Sequence, residues 1–575
     1  MGLGVLEDRK LSRVPGTATL EELHQSADVP RHGPVKRSKT GLTLVPQPSD
    51  DPNDPLNWPI WRRDVILLIL CLLSIIASTL SPLLAANTLT LTLYFRRTFQ
   101  DVALLTGWHL FGAGIAGFIF VASARVWGKR HLYLLGTIII ILSSIWGGAS
   151  GGGNIGTTGQ YRSLLAARVF QGVGLAPFEA LVNASVGDLY FVHERGKRMA
   201  FSNLSLFGGA FFTPVVVGKM THTIGWEWTF YFVAIFAAIM LPLVIFFVPE
   251  TAFVRDNHLN TDIYAESPGS PPSGKPEQSS EAGPSSPHPD AEKNNKLYSK
   301  QNLRLFNGRK SPESFWKLLV RPLPLFLHPG ILWAALTQGT LIGWTVLIGI
   351  VLAAIMIGPP LFFNEVKTGY MYTGAFLGAL IGFGISGALA DSIPRWMAKR
   401  NNGIYEPEFR LILVIPQLIF GCAGLYGFGI TSADTSRYGW FWPNFFFALE
   451  VVGMVLGAVA SALYIVDAHR DLAVEAFTCL LIFKNLFSFA LTWGGYDWML
   501  HTGIVPSFNI IASVQVGVCA LTIPMCESPL CSFARASSPS IIRCFSVLMH
   551  TADVLGKKNR SFMARHDLLK IFKLR

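Results

Sequence analysis

Long apolar runs recur along the chain, separated by short stretches rich in Gly, Pro and charged residues. A helix needs about 20 mostly apolar residues to cross the hydrocarbon core of a bilayer. Such windows predict spans near 65–85, 106–124, 132–148, 163–186, 200–220 and 229–248. A second six follow near 331–356, 372–390, 411–430, 442–465, 475–495 and 504–525. The pattern predicts an all-α membrane protein with twelve transmembrane helices arranged as two six-helix halves. The expected organisation is a tail over 1–64, one half over 65–250, a linker over 251–329, a second half over 330–525 and a tail over 526–575.

Composition sharpens this. Of 575 residues, 51% are hydrophobic and only 14% charged, against about 25% charged in a soluble domain. That apolar surplus exceeds what folded cores bury, so it needs an apolar solvent. The net charge of +11 raises a nucleic-acid partner, but its distribution argues otherwise. Basic residues crowd into both tails, the linker and alternate loops, as with Arg125, Lys129 and Arg130, then Arg195, Lys197 and Arg198. The intervening loops carry isolated cations such as Arg162, Lys367 and Arg437. By the positive-inside rule both termini and the linker are cytoplasmic, and no nucleic acid is expected. The first 64 residues lack the short apolar core of a signal peptide. Residues 256–310 contain a Pro/Ser/Gly tract too poor in apolar side chains to fold, and SPESFWKLLVRPLPLFLHP after it suits a segment lying along the interface.

Function classes fall away in turn. No Gly-x-x-x-x-Gly-Lys-Ser/Thr occurs, which excludes a self-contained ATP-driven pump. No HEXXH, His box or paired-acid constellation points to an enzyme, and seven scattered Cys suggest neither a disulfide framework nor a metal site. No cofactor is expected.

The sharpest signal is charge inside the spans, where each ionisable residue costs about 2.5–3.5 kcal/mol on insertion scales. Arg168 and Glu179 lie in span four, Glu450 in span ten and Lys484 in span eleven. Eleven residues of helix return Glu179 to within about 20° of the face of Arg168, about 16 Å away along the axis. Asn183 extends that stripe, and Pro177 should bend the helix. Glu179 and Lys484 sit closest to the midplane at similar depth and are expected to pair across the halves, with Asn485 beside them. Each charge also has a structural alternative: a static ion pair, or for Arg168 a side chain reaching outward to water. Gly374, Gly378 and Gly382 form a small-residue seam in span eight, and Gly453, Gly457 and Ser461 another in span ten, letting helix backbones approach and slide. Two halves with such seams fit a rocking carrier.

At span four the sequence resembles a known family. Leu164, Arg168, Gln171, Gly172, Gly174 and Ala176 in LLAARVFQGVGLA are similar to the span-four signature of the major facilitator superfamily. DPNDPLNWP (51–59) resembles the entry to span one in its fungal members, and GWEWTF and VPET resemble the flanks of span six. The resemblance implies the two-half fold and, in the twelve-span drug:proton antiporter branch, a role in proton coupling for Arg168. In the loop after span two, Gly128, Lys129 and Arg130 of ASARVWGKR match the gating signature, but Arg125 replaces its Asp. The second-half copy keeps its acid in Gly387–Asp391. The span-five antiporter signature is reduced to Thr213, Pro214 and Gly218. Strings such as PEFRLILVIPQ and KNLFSFALTW are similar to fungal polyamine and organic-cation carriers.

The expected function is a proton-coupled carrier working by alternating access, monomeric, in the plasma membrane rather than the vacuolar membrane. It would export an amphipathic or cationic small molecule, with Glu179 taking the proton or neutralising the cargo and Arg168 acting on it from a distance. The alternatives are import of a cationic nutrient such as a polyamine, and a membrane sensor that does not transport. Residues 526–552, with three Cys and six Ser and no helical period, read as a retained intron or a rare splice form. Sequencing the mature transcript across that stretch checks this.

Overall fold

A computed structural model of the chain describes residues 46–151, 158–253, 308–400, 404–469 and 472–523, with isolated positions at 18, 19, 36, 44, 304, 306, 569 and 574. Most of the linker and all of 526–552 lie outside the described residues.

Among the described residues, twelve long helices account for the twelve apolar runs. We number them α1 (Ile60–Thr79), α2 (Phe99–Trp127), α3 (Arg130–Ala149), α4 (Thr158–Leu189), α5 (Val192–Ile224) and α6 (Glu227–Phe247). The second six are α7 (Pro329–Ile357), α8 (Thr373–Arg400), α9 (Pro407–Ala433), α10 (Phe441–Ala468), α11 (Ala473–Thr502) and α12 (Ile504–Ala520). Ten of them are long and apolar enough to cross a membrane. The other two are α1, which gathers Arg62, Arg63 and Asp64 in its first turns, and α12, which has 17 residues.

Local chemistry sets the boundaries. Thr98 caps α2: its hydroxyl accepts from Asp101 N at 3.1 Å, and the Asp101 carboxylate accepts from Thr98 N at 3.3 Å. Gly128 ends α2 at φ +91°, a conformation open to glycine at little cost. Pro329 opens α7 at the position where a missing N–H costs nothing. One span departs from the expected regular helix. α9 begins as a 3-10 turn (Pro407–Leu413) and carries a π turn (Leu418–Cys422). Pro416, which lacks an N–H and crowds the preceding turn, accounts for the break.

The amino half packs around one apolar core that includes Leu70, Leu134, Phe178 and Phe230. The carboxyl half has two large ones, one around Leu341, Phe428 and Val455 and one around Trp333, Tyr464 and Leu480, and a small one around Met397 and Phe409. Along the α8 seam, a methyl at Gly374 would meet Asn444, one at Gly378 would meet Ala448, and one at Gly382 would meet Val455. These three glycines hold α8 against α10. Between halves, α2 lies along α11 for its whole length, with Gly107 facing Thr492, Gly114 facing Asn485 and Gly117 facing Leu481. Beyond Pro214 of α5, Gly218 meets the short helix Glu365–Tyr370 that precedes α8.

Candidate functional site

Between the halves lies a cavity of about 180 Å³, walled by α1, α2, α4 and α5 on one side and α7, α10 and α11 on the other. That volume holds on the order of ten waters or one compact organic molecule. Its wall is mostly apolar and aromatic, with Phe207, Phe211, Tyr372 and Phe447 prominent. Among the described residues lining it, the charged ones are Glu179 and Lys484. Lys484 Nζ pairs with Glu179 Oε1, and Asn485 Nδ2 donates to Glu179 Oε2 at 3.1 Å. The pair spans the halves, one partner on α4 and the other on α11, and both side chains are about nine-tenths buried.

The other intramembrane residues lie outside this wall. Arg168 is fully buried and donates to Leu80 O (2.7 Å), Gln171 Oε1 (2.9 Å), Leu105 O (3.4 Å) and Ser81 O (3.4 Å). It does not reach outward to water, because carbonyls at the end of α1 and within α2 come to it. Asn183, expected on the cavity stripe, turns to α5 instead: Nδ2 donates to Asn203 Oδ1 at 2.8 Å and Oδ1 accepts from Ser202 Oγ at 2.5 Å. Glu450 is fully buried behind the wall, within hydrogen-bond reach of Thr345 Oγ1 at 2.8 and 3.0 Å. Thr345 itself lines the cavity.

Charge concentrates at one end, where α1 begins and α2 stops. There Glu250, after α6, accepts from the backbone N–H of Lys129 (2.9 Å) and of Arg130 (3.1 Å). Lys129 Nζ reaches Asp188 at 2.6 Å, and the Arg130 guanidinium donates to Val248 O and Ile245 O, both at 2.8 Å. Gly128 leaves room for this, since a methyl there would strike the Glu250 carboxylate. Arg125 reaches across the halves to Glu475 at the start of α11 and lies 3.5 Å from Glu313. Arg321 closes the ring, 2.8 Å from Glu313 and 3.4 Å from Glu475. In the second half Arg410 holds Asp467 at 2.9 Å, and Tyr405 Oη donates to the same carboxylate at 2.5 Å. Burial, and then Asp467, pushes the Tyr405 hydroxyl well above the usual phenol range. Around Gly387 a methyl would meet open space, and the Asp391 side chain lies outside the described residues.

Sequence reasoning missed Glu313 and Arg321, which lie outside the spans where charge stands out, and Glu475, which sits at the very edge of one. The unusual Arg125 was the available clue, since a cation at a gate calls for an acid opposite.

Residues 65–492 match the Major Facilitator Superfamily. The chain belongs to this family. Among curated facilitators it is 25% identical over 549 residues to an uncharacterized MFS-type transporter of Schizosaccharomyces pombe, covering 90% of this chain and 92% of that one. It is 23% identical to Protein HOL1 of Saccharomyces cerevisiae, covering 85% and 90%. It is 24% identical to MFS transporter cpaT of Aspergillus oryzae, covering 81% and 87%. Among solved structures, the partially occluded inward-open xylose transporter XylE from E. coli superposes with TM-score 0.55 at 12% identity, covering 80% of this chain and 97% of that one. The facilitator fold is thereby shown, and the protein is a multi-pass membrane transporter rather than an enzyme.

Proposed function

We propose that this facilitator is a proton-coupled carrier that exports an amphipathic organic cation from the cytoplasm, across the plasma membrane, by alternating access. The observation that carries this is the Glu179–Lys484 pair set in an otherwise apolar, aromatic cavity. A cationic cargo is a natural competitor for Lys484: it can take the carboxylate while its apolar body meets Phe207, Phe211 and Phe447, whose ring faces attract cations. Exchanging one cation for another at Glu179 breaks a bond between the halves and lets them rock. A 27% identity over 221 residues to a protein named Multidrug transporter in Candida glabrata, covering 38% of this chain and 36% of that one, supports a drug-like organic cargo, with no bearing on its charge. The basic end, on this reading, is the cytoplasmic end.

The test is transport of a lipophilic fluorescent cation by the purified chain in liposomes with an imposed pH gradient. Cation movement opposite to the proton gives export; movement with the proton gives import and overturns the direction. Glu179→Gln, which removes charge at constant shape, should abolish transport while the protein stays folded. Undiminished transport in that variant removes Glu179 from the site.

A further inference from the structure

Glu179 is engaged by an ammonium and an amide N–H in the cavity, so a second group is needed to carry the proton. Glu450 has the surroundings for it. It is fully buried on α10, and α9 seals it from behind: a methyl at Gly424 would lie 2.7 Å from the Glu450 Cα. Among the described residues no cation pairs with it, and the polar group that meets its carboxyl is the Thr345 hydroxyl. An ionised carboxylate sealed this way, with one hydroxyl for company, costs several kcal/mol.

Thr345 has one proton to donate and two oxygen-bearing groups to send it to, Leu341 O at 2.9 Å and the Glu450 carboxyl, beside the weaker acceptor Met454 Sδ. With Glu450 protonated every group is satisfied at once: the acid O–H donates to Thr345 Oγ1, and the Thr345 hydroxyl donates to Leu341 O. With Glu450 ionised, the hydroxyl must turn to the carboxylate and abandon the carbonyl. Thr345 and Met454, whose Sδ lies 3.4 Å from that hydroxyl, both line the cavity. The carboxyl is therefore one side chain away from whatever occupies the cavity.

We infer that Glu450 is the residue that carries the transported proton, exchanging it with the cavity through Thr345. The cost of net charge in a buried site gives the coupling, and it rests on the cation reading above. Before cargo enters, Glu179, Lys484 and a neutral Glu450 sum to zero. A monovalent cation raises the sum by one, and release of the Glu450 proton restores it.

The other titratable groups around this site do not compete for that role. α7 contains none. α9 brings Cys422 and Tyr426 to the level of Gly424, with Tyr426 Oη hydrogen-bonded to Ser513 Oγ at 2.9 Å. Tyr372, ahead of α8, donates to Gly349 O at 2.5 Å. On α8, Asp391 follows Ala390, whose carbonyl accepts from Arg410 at the basic end, and Arg395, Lys399 and Arg400 lie further along that helix, while Glu408 and Arg410 open α9. The next acid on α10, Asp467, is held by Arg410, about 25 Å along the helix. On α11, Lys484 is paired with Glu179.

Two measurements on the full chain in liposomes test this. Infrared spectra at neutral pH should show a protonated-carboxyl C=O band in the wild type that is lost in Glu450→Gln and kept in Glu179→Gln. Thr345→Val, which keeps the shape and removes the acceptor, should shift that band. A wild type without the band, or a band that survives Glu450→Gln, overturns the assignment. With ethidium as the probe cation, Glu450→Gln should keep labelled-for-unlabelled exchange within about twofold of wild type, while pH-driven accumulation falls to the level of empty liposomes. Retained accumulation overturns the proposal alone. Failure of the wild type to move ethidium counts against the cation reading and leaves the infrared result to decide the proton site.

Discussion

Arg168 and Glu450 are both fully buried charged-type residues without an ionic partner among the described residues, one in each half, yet their surroundings differ. Arg168 is met by three backbone carbonyls and a glutamine oxygen. These spread its charge over the end of α1, the second turn of α2 and its own helix, tying three helices together. Glu450 has a single hydroxyl that is also wanted elsewhere. A charge dissolved in carbonyls has little to gain by leaving them, which suits a structural role. A carboxyl with one contested partner is left free to change state. The same hydrophobicity reading flags both, and only the count of acceptors and donors separates them.

Three variants press on this contrast. The largest effect is expected from Arg168→Met, which keeps the bulk and orphans several buried acceptors. It should lower stability by about 3 kcal/mol or more, seen as a fall in thermal unfolding temperature in detergent. Normal stability with lost coupling would instead make Arg168 a working charge. Next, Lys484→Ala leaves Glu179 buried without its counter-ion. Adding Glu179→Gln should recover part of the loss, with a coupling of about 1–3 kcal/mol in a double-mutant cycle on unfolding. Strict additivity would mean the pair is not energetically joined. The smallest effect belongs to the ring at the basic end, where Arg125 and Glu313 are about one-third exposed and the buried Glu475 keeps Arg321 as a second cation. Arg125→Glu should cost about 1 kcal/mol or less but shift the conformational equilibrium toward opening at that end. The swap Arg125→Glu with Glu475→Arg should restore it, as read by accessibility of an introduced cysteine on α11.

Much of the fold was legible because a bilayer imposes a length: runs near 20 residues can be recognised one at a time. What failed was local. The interruption of α9 depends on how Pro416 is accommodated by neighbours, and the extra turns of α2 and α4 beyond the apolar windows lie where the helix runs on into polar surroundings. The meeting of Glu179 with Lys484 could be anticipated, since two opposite charges at one depth have few other places to go. The turn of Asn183 toward α5 could not, because an amide on that stripe finds acceptors on either side. Thr345 was invisible for the same reason. A threonine in an apolar helix normally bonds its own preceding turn, and nothing in the sequence says that a carboxyl on another helix stands within reach.

The glycines where α2 lies against α11 bear on how natural variation in this chain is to be read. In an isolated helix, glycine to alanine is a gain of about 1 kcal/mol, and substitution tables score it as mild. At Gly107 the added methyl would overlap the Thr492 side chain, while at Gly114 it would press on Asn485 at 3.2 Å and at Gly117 it would push the tip of Leu481 aside. An allele that looks conservative at Gly107 would wedge the halves apart along α2 and α11, so on the carrier reading its harm would surface as slowed turnover rather than as missing protein.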